Sequence, residues 1–165
     1  MITETTGILT PVPANIPEEM RIRPQWVVWR SEQRGEDWTK VPYCPSTDMN
    51  ASTVDLMTWT DFETAWGAYE DSDGHYAGVG FVFSSGDPYT FIDLDRCRRP
   101  STGEVAKWAQ EIIEQVRDVA YLEVSVSGEG VHIILEGRTR GRKHKRGRLE
   151  VYSQDRYSAV TGVLL

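Results

Sequence analysis

The sequence lacks long apolar runs and has few cysteines, and these two absences exclude several classes of protein. Its 165 residues contain no apolar stretch of about 20 positions, the length that a membrane-spanning helix needs, so we expect no membrane partner. The first residues do not combine a basic segment with an apolar one, as a secretory signal would. Cys44 and Cys97 are too few for a disulfide framework, and no cysteine–histidine cluster has zinc-site spacing. These absences favour a cytoplasmic protein.

Length and composition are those of an ordinary globular protein. Hydrophobic residues make up 39% of the chain and charged residues 26%. A chain of this length fits one domain, or two small lobes that share a core. Residues 1–17 are rich in threonine and proline and are expected to form a loose leader. The remaining residues, 18–165, are predicted to fold as a single domain.

Basic side chains are concentrated in one short segment of an otherwise acidic chain. The net charge is −7, yet residues 138–148 hold seven of the 18 lysines and arginines and no acid. Such a segment is typical of a loop that binds phosphates, and equally of a solvated hairpin tip. Its composition alone is compatible with both interpretations.

Hydrophobic patterning predicts a mixture of strands and helices. Short apolar or β-branched runs predict strands at residues 25–30, 40–43, 79–83, 90–95, 121–125, 131–135, 149–152 and 158–163. Thr60 and Glu63 have the spacing of a capping box that begins one helix. Ser101 and Glu104 have the same spacing before a second helix, which extends to Val119. Because the second half of the chain is mostly strands joined by short turns, we predict an α+β fold.

An acidic pair interrupts the apolar run at residues 91–95. Side chains two positions apart on a strand share a face, so Asp93 and Asp95 point the same way. Two carboxylates held that close repel each other, and a divalent cation such as Mg²⁺ or Mn²⁺ relieves the repulsion. Short acidic pairs also occur in ordinary turns, so the pair alone leaves both interpretations open.

Two further motifs follow the acidic pair. Residues 125–132 contain two glycines that permit a tight turn with exposed backbone N–H groups, a plausible anion cradle, and end in His132. A single histidine on a strand is more often structural than functional. Glu150 alternates with apolar residues on the strand predicted at 149–152.

In this order, the three motifs resemble those of the archaeo-eukaryotic primase superfamily, and specifically the primase-polymerase (prim-pol) domains of phage and plasmid replication proteins. That family has an acidic pair on a strand, then a Ser-Gly-x-Gly-x-His segment, here 127–132, then a strand with a third acid. The resemblance extends from about Pro24 to Gly162. The flanking segments that share it are residues 25–29, 40–43, 51–52, 78–83, 156–157 and 161–162.

The resemblance implies a two-lobed catalytic core. We expect a small N-terminal α/β lobe, a second lobe with an RRM-like mixed or antiparallel sheet, and an active site in the cleft between them. It implies a template-dependent nucleotidyltransferase, a DNA primase or DNA polymerase that adds nucleotides to a 3′-hydroxyl with two divalent ions. In this family the matching acids, Asp93, Asp95 and Glu150, bind the Mg²⁺ or Mn²⁺ ions.

The resemblance also implies nucleotide-binding residues. His132 matches the histidine that contacts the triphosphate, and Ser127, Gly128 and Gly130 are candidates for the same phosphates. Tyr157 matches an aromatic residue near the sugar of the incoming nucleotide, although a tyrosine that simply packs at a strand start would look the same. Arg156 is a candidate for the triphosphate and Lys40 for a nucleotide or template contact.

The basic segment lies between the histidine strand and the Glu150 strand, which favours a role in binding DNA. The candidates for contacts with template or primer phosphates are Arg138, Arg140, Arg142, Lys143, Lys145, Arg146 and Arg148. Expected partners are a DNA template and primer, ribonucleoside or deoxyribonucleoside triphosphates, and a C-terminal helical and helicase region in a longer replication protein.

Three alternatives compete with a polymerase. A non-catalytic nucleic-acid-binding module would not need the acids together with His132. A rolling-circle nuclease needs a histidine pair around an apolar residue, and His75, His132 and His144 are not so paired. A metal-dependent phosphodiesterase would use the same ligands, and only its products would distinguish it.

Overall fold

The structure, a computed structural model, describes residues 7–140 and 144–165 and shows an α+β fold with two antiparallel sheets and few helices. The strands are β1 (Trp26–Arg34), β2 (Asp37–Tyr43), β3 (Gly78–Phe83), β4 (Tyr89–Leu94), β5 (Ala120–Val124), β6 (Val131–Glu136), β7 (His144–Arg146), β8 (Leu149–Tyr152) and β9 (Arg156–Val160). The helices are α1 (Glu18–Arg21), α2 (Phe62–Glu70) and α3 (Lys107–Val116). Short 3₁₀ turns lie at Pro13–Asn15 and Leu56–Thr58. In the described parts of the chain, no helix has the length and apolar character needed to cross a membrane.

The first sheet has four strands in the order β2-β1-β3-β9. β1 and β2 form a hairpin whose register pairs Arg34 with Asp37 at the turn. β3 is fully buried and lies in the middle of the sheet, beside β1 and β9. The C-terminal strand β9 therefore pairs with an element from the first half of the chain, so the two ends of the sequence are joined in one sheet.

The second sheet has five strands in the order β5-β6-β4-β8-β7. The strand predicted at 90–95 is its central strand β4, flanked by β6 and β8. One face of this sheet packs against α3 through Leu94, Ile133 and Ile113. The other face contributes Phe91 and Tyr152 to the main core, where they meet Phe83 of the first sheet. Asp93 and Asp95 follow Phe91 by two and four residues and therefore point to the same face of the sheet as Phe91. The acidic pair thus lies on the face opposite α3.

Both predicted capping boxes are wrong. Helix α2 begins after Asp61, whose carboxylate accepts a hydrogen bond from the Thr64 N–H at 2.8 Å, so Asp61 and not Thr60 is the N-cap. The Asp61 carboxylate is a better acceptor than the Thr60 hydroxyl for the free amide groups of the first turn, because it is charged. Helix α3 begins at Lys107 after Ala106, with no side-chain cap, and ends at Val116. Ser101 and Glu104 precede it in a turn.

The segment predicted as a loose leader is packed against the domain from Leu9 onward. The Leu9 and Val12 N–H groups donate to the carbonyls of Val126 and Thr161, at 2.8 and 2.7 Å. Ile16 is 1% exposed and belongs to the main core. Proline and threonine were poor indicators of disorder here, because these hydrogen bonds and the buried Ile16 hold the segment in place.

Candidate active site

A single row of side chains crosses the five strands of the second sheet and contains four of the predicted site residues. Cross-strand register pairs Glu123 with His132, His132 with Asp93, Asp93 with Glu150, and Glu150 with Lys145. Each strand contributes one member of the row. Directly opposed side chains in antiparallel sheets stand about 4.5–5.5 Å apart at Cβ, so adjacent members interact.

Asp93 lies at the centre of this row, on the central strand. Its side chain is 35% exposed, and burial raises the pKa of its carboxyl above the ordinary value. The negative charges of Asp95 and Glu150 raise the pKa further, while His132 and Lys40 oppose the rise. Lys40 belongs to β2 of the first sheet, so the two sheets bring opposite charges to the same place. A positive ion or a phosphate-bound metal would be stabilised at this point.

His132 is buried, and each of its ring nitrogens faces a carboxylate. Nδ1 is 2.8 Å from Oε1 of Glu123, and Nε2 is 4.0 Å from Oδ1 of Asp93. The ring also lies against Phe91, with 5.1 Å between centroids. These contacts fix the ring with one nitrogen directed toward Asp93.

The two outer acids of the predicted set are each close to a cation. Lys145 Nζ is 2.7 Å from Oε1 of Glu150. Asp95 lies one residue beyond β4, is 60% exposed, and has Arg96 Nε 3.8 Å from its Oδ2. The described residues contain no group of three or more histidine, cysteine, aspartate or glutamate side chains arranged to hold a metal ion.

The donor chemistry of these acids fits a hard divalent cation. Carboxylate oxygens are the protein ligands that Mg²⁺ and Mn²⁺ prefer. Asp93, Asp95 and Glu150 are close enough for the last two to raise the pKa of the first, which is the repulsion that a cation relieves. Lys145 already provides one positive charge to this set.

The glycine segment forms a tight turn beside the end of β4. Gly128 has a φ of +76°, and its N–H donates to the Ser125 carbonyl at 2.9 Å. The Gly130 N–H donates to the Ser125 hydroxyl, also at 2.9 Å, and a Cβ at Gly130 would lie 2.9 Å from the Leu94 carbonyl oxygen. Both glycine amides therefore serve the turn itself, and Ser127 carries the exposed hydroxyl of this segment.

Tyr157 lies across the first sheet rather than projecting from its edge. Its hydroxyl donates to the Lys40 backbone carbonyl at 2.5 Å. The ring passes over Gly80, where a Cβ would come within 2.9 Å of the ring carbon Cδ2. Burial raises the pKa of the Tyr157 hydroxyl, so it remains a neutral donor. Arg156 is exposed at the start of β9, beside this ring.

The described arginines and lysines of the basic segment are all exposed, and two of them also make structural contacts. The Arg138 guanidinium donates to the Ser84 and Asp87 carbonyls at 3.1 and 2.5 Å, and Arg148 donates to the Arg96 carbonyl at 3.2 Å. These two arginines hold the chain together locally. Arg140, Lys145 and Arg146 are exposed, the last two on β7, a strand that the sequence did not predict. Arg142 and Lys143 lie outside the described residues.

Sequence reasoning missed two residues of the site. Glu123 is the buried partner of His132, and Gly80 makes room for Tyr157. An acid inside the apolar run 120–124 was a usable signal for Glu123, since a charge on a buried strand requires a partner. Gly80 gave no signal, because its role depends on a ring from a strand 77 residues further on.

The fold and the site define an α+β protein whose five-stranded sheet carries a row of acids around a histidine. The chain is 33% identical over 144 residues to a protein named DNA primase-polymerase, from Nitratiruptor phage NrS-1. This match covers 84% of the chain and 19% of the phage protein, so the chain spans about a fifth of its relative's length. No protein-family model matches the sequence. The chain is thus similar to one part of a phage DNA primase-polymerase.

Proposed function

We propose that this chain is the nucleotidyl-transfer core of a phage- or plasmid-type primase-polymerase, a member of the archaeo-eukaryotic primase superfamily. It adds nucleotides to a 3′-hydroxyl on a DNA template during replication of the mobile element in the cytoplasm of its host. The observation that carries this proposal is the row in which His132, Asp93 and Glu150 are direct cross-strand neighbours. The similarity to the phage primase-polymerase supports it.

In this proposal, Asp93, Asp95 and Glu150 hold two divalent ions, Mg²⁺ or Mn²⁺. When bound, these ions supply Lewis acidity to the attacking 3′-oxygen and neutralise charge on the leaving pyrophosphate. Asp93 interacts with both other acids, so it would be the central ligand of this set. Glu150 would be the ligand on the side of Lys145, whose ammonium lies 2.7 Å from it and would add positive charge near the phosphates.

His132 and Lys40 bind the triphosphate of the incoming nucleotide. His132 directs Nε2 toward Asp93, which places the second ring nitrogen next to the metal ligands. Lys40 brings a positive charge from the first sheet to the same point. The Ser127 hydroxyl and the turn at Gly128 and Gly130 border the site from the end of β4 and form the outer part of the phosphate site.

Tyr157 and Arg156 form the surface on which the sugar of the incoming nucleotide rests. The Tyr157 ring is held in place at its hydroxyl by the hydrogen bond to the Lys40 carbonyl. Arg156 is exposed beside the ring and provides a charge for the nucleotide phosphates.

Template and primer bind along the basic segment at 138–148. All five members that the structure describes, Arg138, Arg140, Lys145, Arg146 and Arg148, are exposed, and Arg138 and Arg148 also donate to backbone carbonyls. Contacts to phosphates from such residues depend on salt and little on base sequence. In the full-length protein, we propose that a C-terminal helical and helicase region follows this single domain, 18–165.

Two other functions use the same fold. A metal-dependent phosphodiesterase would use the same acids and shorten the strand instead of extending it. A non-catalytic nucleotide-binding or nucleic-acid-binding module would bind without turnover. The cross-strand row favours catalysis over simple binding, because a binding module does not need three acids around one histidine.

Extension of a labelled primer on a DNA template, with Mg²⁺ or Mn²⁺ and each nucleotide type, tests the proposal. We expect template-dependent growth that Asp93→Asn abolishes and Asp118→Asn leaves intact, since Asp118 is an exposed acid outside the row. Shortening of the primer that Asp93→Asn abolishes would show a phosphodiesterase. Binding of nucleotide and DNA without either reaction would show a non-catalytic module.

A further inference from the structure

Glu123 is a carboxylate with no solvent exposure, and four hydrogen-bonding groups surround it. Oε2 accepts from the Thr161 and Gly162 N–H groups, at 3.0 and 2.9 Å, and from the Tyr121 hydroxyl at 2.8 Å. Oε1 lies 2.8 Å from Nδ1 of His132. A charged group removed from water is costly unless it is fully hydrogen-bonded, and this arrangement meets that condition.

The groups around Glu123 determine which atoms donate and which accept these hydrogen bonds. An ionised carboxylate can only accept hydrogen bonds, and both backbone amides can only donate. Burial, together with the nearby Glu123 charge, raises the pKa of the Tyr121 hydroxyl, so it stays protonated and donates as well. The proton between His132 and Glu123 is therefore carried by Nδ1 of the imidazole.

The two oxygens of Glu123 have different roles. Oε2 attaches β5 to the segment that leaves β9, at Thr161 and Gly162, and this is a structural link between the two sheets. Oε1 takes no part in that link and contacts His132. A purely structural carboxylate at this position would not need to place its second oxygen on a ring whose other nitrogen faces Asp93.

We propose that Glu123 is a positioning residue that holds His132 in one orientation, with the proton on Nδ1 and Nε2 directed to the site of the nucleotide triphosphate. The ring cannot rotate by half a turn without breaking the 2.8 Å bond and leaving a buried carboxylate oxygen without its donor. The affinity for nucleotide then depends on Glu123 although Glu123 touches no substrate. This inference rests on the proposed role of His132 as the triphosphate contact.

The first test observes the proton directly in the wild-type protein. Proton–nitrogen correlation spectra of histidine-labelled protein resolve the rings of His75, His132 and His144, and a His132→Ala variant assigns the relevant signals. We expect a proton on Nδ1 of His132 that exchanges slowly with water, because the residue is 3% exposed. An unprotonated Nδ1 in the wild-type protein would overturn the inference, whatever the variants do.

The second test compares Glu123→Gln in two backgrounds. An amide has one oxygen for four donors, so the variant loses the charge and the acceptor at His132 while it keeps the size of the side chain. We expect its affinity for a non-hydrolysable nucleoside triphosphate to fall roughly tenfold to a hundredfold, the usual effect of losing a charged hydrogen bond. In a His132→Ala background, the same substitution should change the affinity less than about twofold, because the ring through which Glu123 acts is absent.

Equal losses in both backgrounds would mean that Glu123 acts through the fold alone, and would overturn the inference. Tyr121→Phe is the matched control, since it removes a donor from Oε2 and leaves Oε1 in place. We expect it to lower the melting temperature but to keep the Nδ1 proton of His132. If Glu123→Gln does not fold, the wild-type spectrum still decides the question. Failure of primer extension would overturn the proposed function without altering the spectrum.

Discussion

The hydroxyl of Tyr157 donates to the backbone carbonyl of Lys40, 2.5 Å away, although the two residues lie on strands at opposite edges of the first sheet. The ring spans the sheet between them and passes over Gly80. Because Gly80 has no side chain, the ring lies flat and close to the backbone. The position of the ring is thus set by a glycine on a third strand.

Gly80→Ala should displace this ring. The new Cβ would lie 2.9 Å from the Tyr157 ring and 3.0 Å from the Ser158 carbonyl oxygen, which is backbone and cannot move aside cheaply. We expect a loss of about 1–3 kcal/mol in the free energy of unfolding, typical of overpacking. In the proposed reaction, the ratio of deoxyribonucleotide to ribonucleotide incorporation should also change. Chemical denaturation and competition assays measure the two effects.

Gly67→Ala is the control for this prediction. Gly67 lies within α2, and a Cβ there meets no atom within 4 Å. Alanine favours helix over glycine by about 0.5–1 kcal/mol, so this variant should be more stable than wild type. A Gly80→Ala variant as stable as Gly67→Ala would contradict the packing that we describe.

Lys145→Gln should strengthen the binding of divalent metal. The lysine ammonium lies 2.7 Å from Glu150, where it offsets the negative charge and competes with a metal ion. An exposed pair of this kind contributes about 0.2–1 kcal/mol, so the affinity for Mn²⁺ should rise by up to about fivefold. Titration followed by electron paramagnetic resonance measures it. Lys107→Gln, an exposed lysine at the start of α3, should not change the affinity.

Neutralising four basic residues of the segment at 138–148 should reduce the salt dependence of primer-template binding. Substitution of Arg140, Arg142, Lys143 and Arg146 by glutamine removes charges without removing the pair at Glu150. For every phosphate that the variant no longer neutralises, the slope of log affinity against log salt should fall by about 0.9 on duplex DNA. Fluorescence anisotropy across a salt series gives the slope. Nucleotide binding should persist, and an unchanged slope would mean that this segment does not contact DNA.

Arg138→Gln should behave differently from its neighbours. The Arg138 guanidinium donates to the carbonyls of Ser84 and Asp87, so its loss removes both of these hydrogen bonds. We expect a lower melting temperature and little change in the salt slope. An unchanged melting temperature with a smaller salt slope would place Arg138 among the DNA contacts.

The stability contributed by the N-cap of α2 should depend on pH. Hydrogen bonds from the Thr64 backbone and hydroxyl lower the pKa of the Asp61 carboxyl below its ordinary value of 3.8. A lowered pKa means that the folded protein favours the charged form, so the stabilisation is present above 3.8 and is lost as the pH falls through the lowered value. At neutral pH, Asp61→Ala should cost about 0.5–2 kcal/mol. Urea unfolding at neutral and acidic pH measures the difference.

Thr60→Ala tests whether the neighbouring residue also caps α2. The Thr60 hydroxyl donates to the Trp26 and Asp61 carbonyls, at 3.4 and 3.2 Å, and caps no amide of α2. Its removal should cost less than that of Asp61 and show no such dependence on pH. If Thr60→Ala lost more free energy of unfolding than Asp61→Ala, the capping box predicted from the sequence would be correct after all.

Local patterns in the sequence predicted most strands, because alternation and β-branching report burial on a sheet directly. The predicted strand at 131–135 corresponds to β6, and the strand at 149–152 to β8. Helix starts were less predictable, since Thr60 and Asp61 are both good caps and only the geometry of the first turn decides between them. β7 was missed because a three-residue, fully exposed strand has no hydrophobic pattern.

The candidate site was predictable only as a set of residues and not as an arrangement. Asp93, His132 and Glu150 were identified from their motifs, yet nothing local indicated that they are direct neighbours across β4. Cross-strand register depends on the whole sheet, which a linear pattern does not encode. Glu123 was missed for the same reason, because its meaning depends on being opposite His132.

The row across the second sheet limits where this chain can gain or lose residues. Side chains alternate between faces, so one residue inserted into any of the five strands would turn its row member toward α3 and out of the site. Turns do not carry this restriction, and the one at Gly35 has open space around it and lies outside the second sheet, so an insertion there would leave the register of the row unchanged. Among homologous chains, length variation should therefore collect in turns such as this one, while the spacing within each strand of the row stays constant.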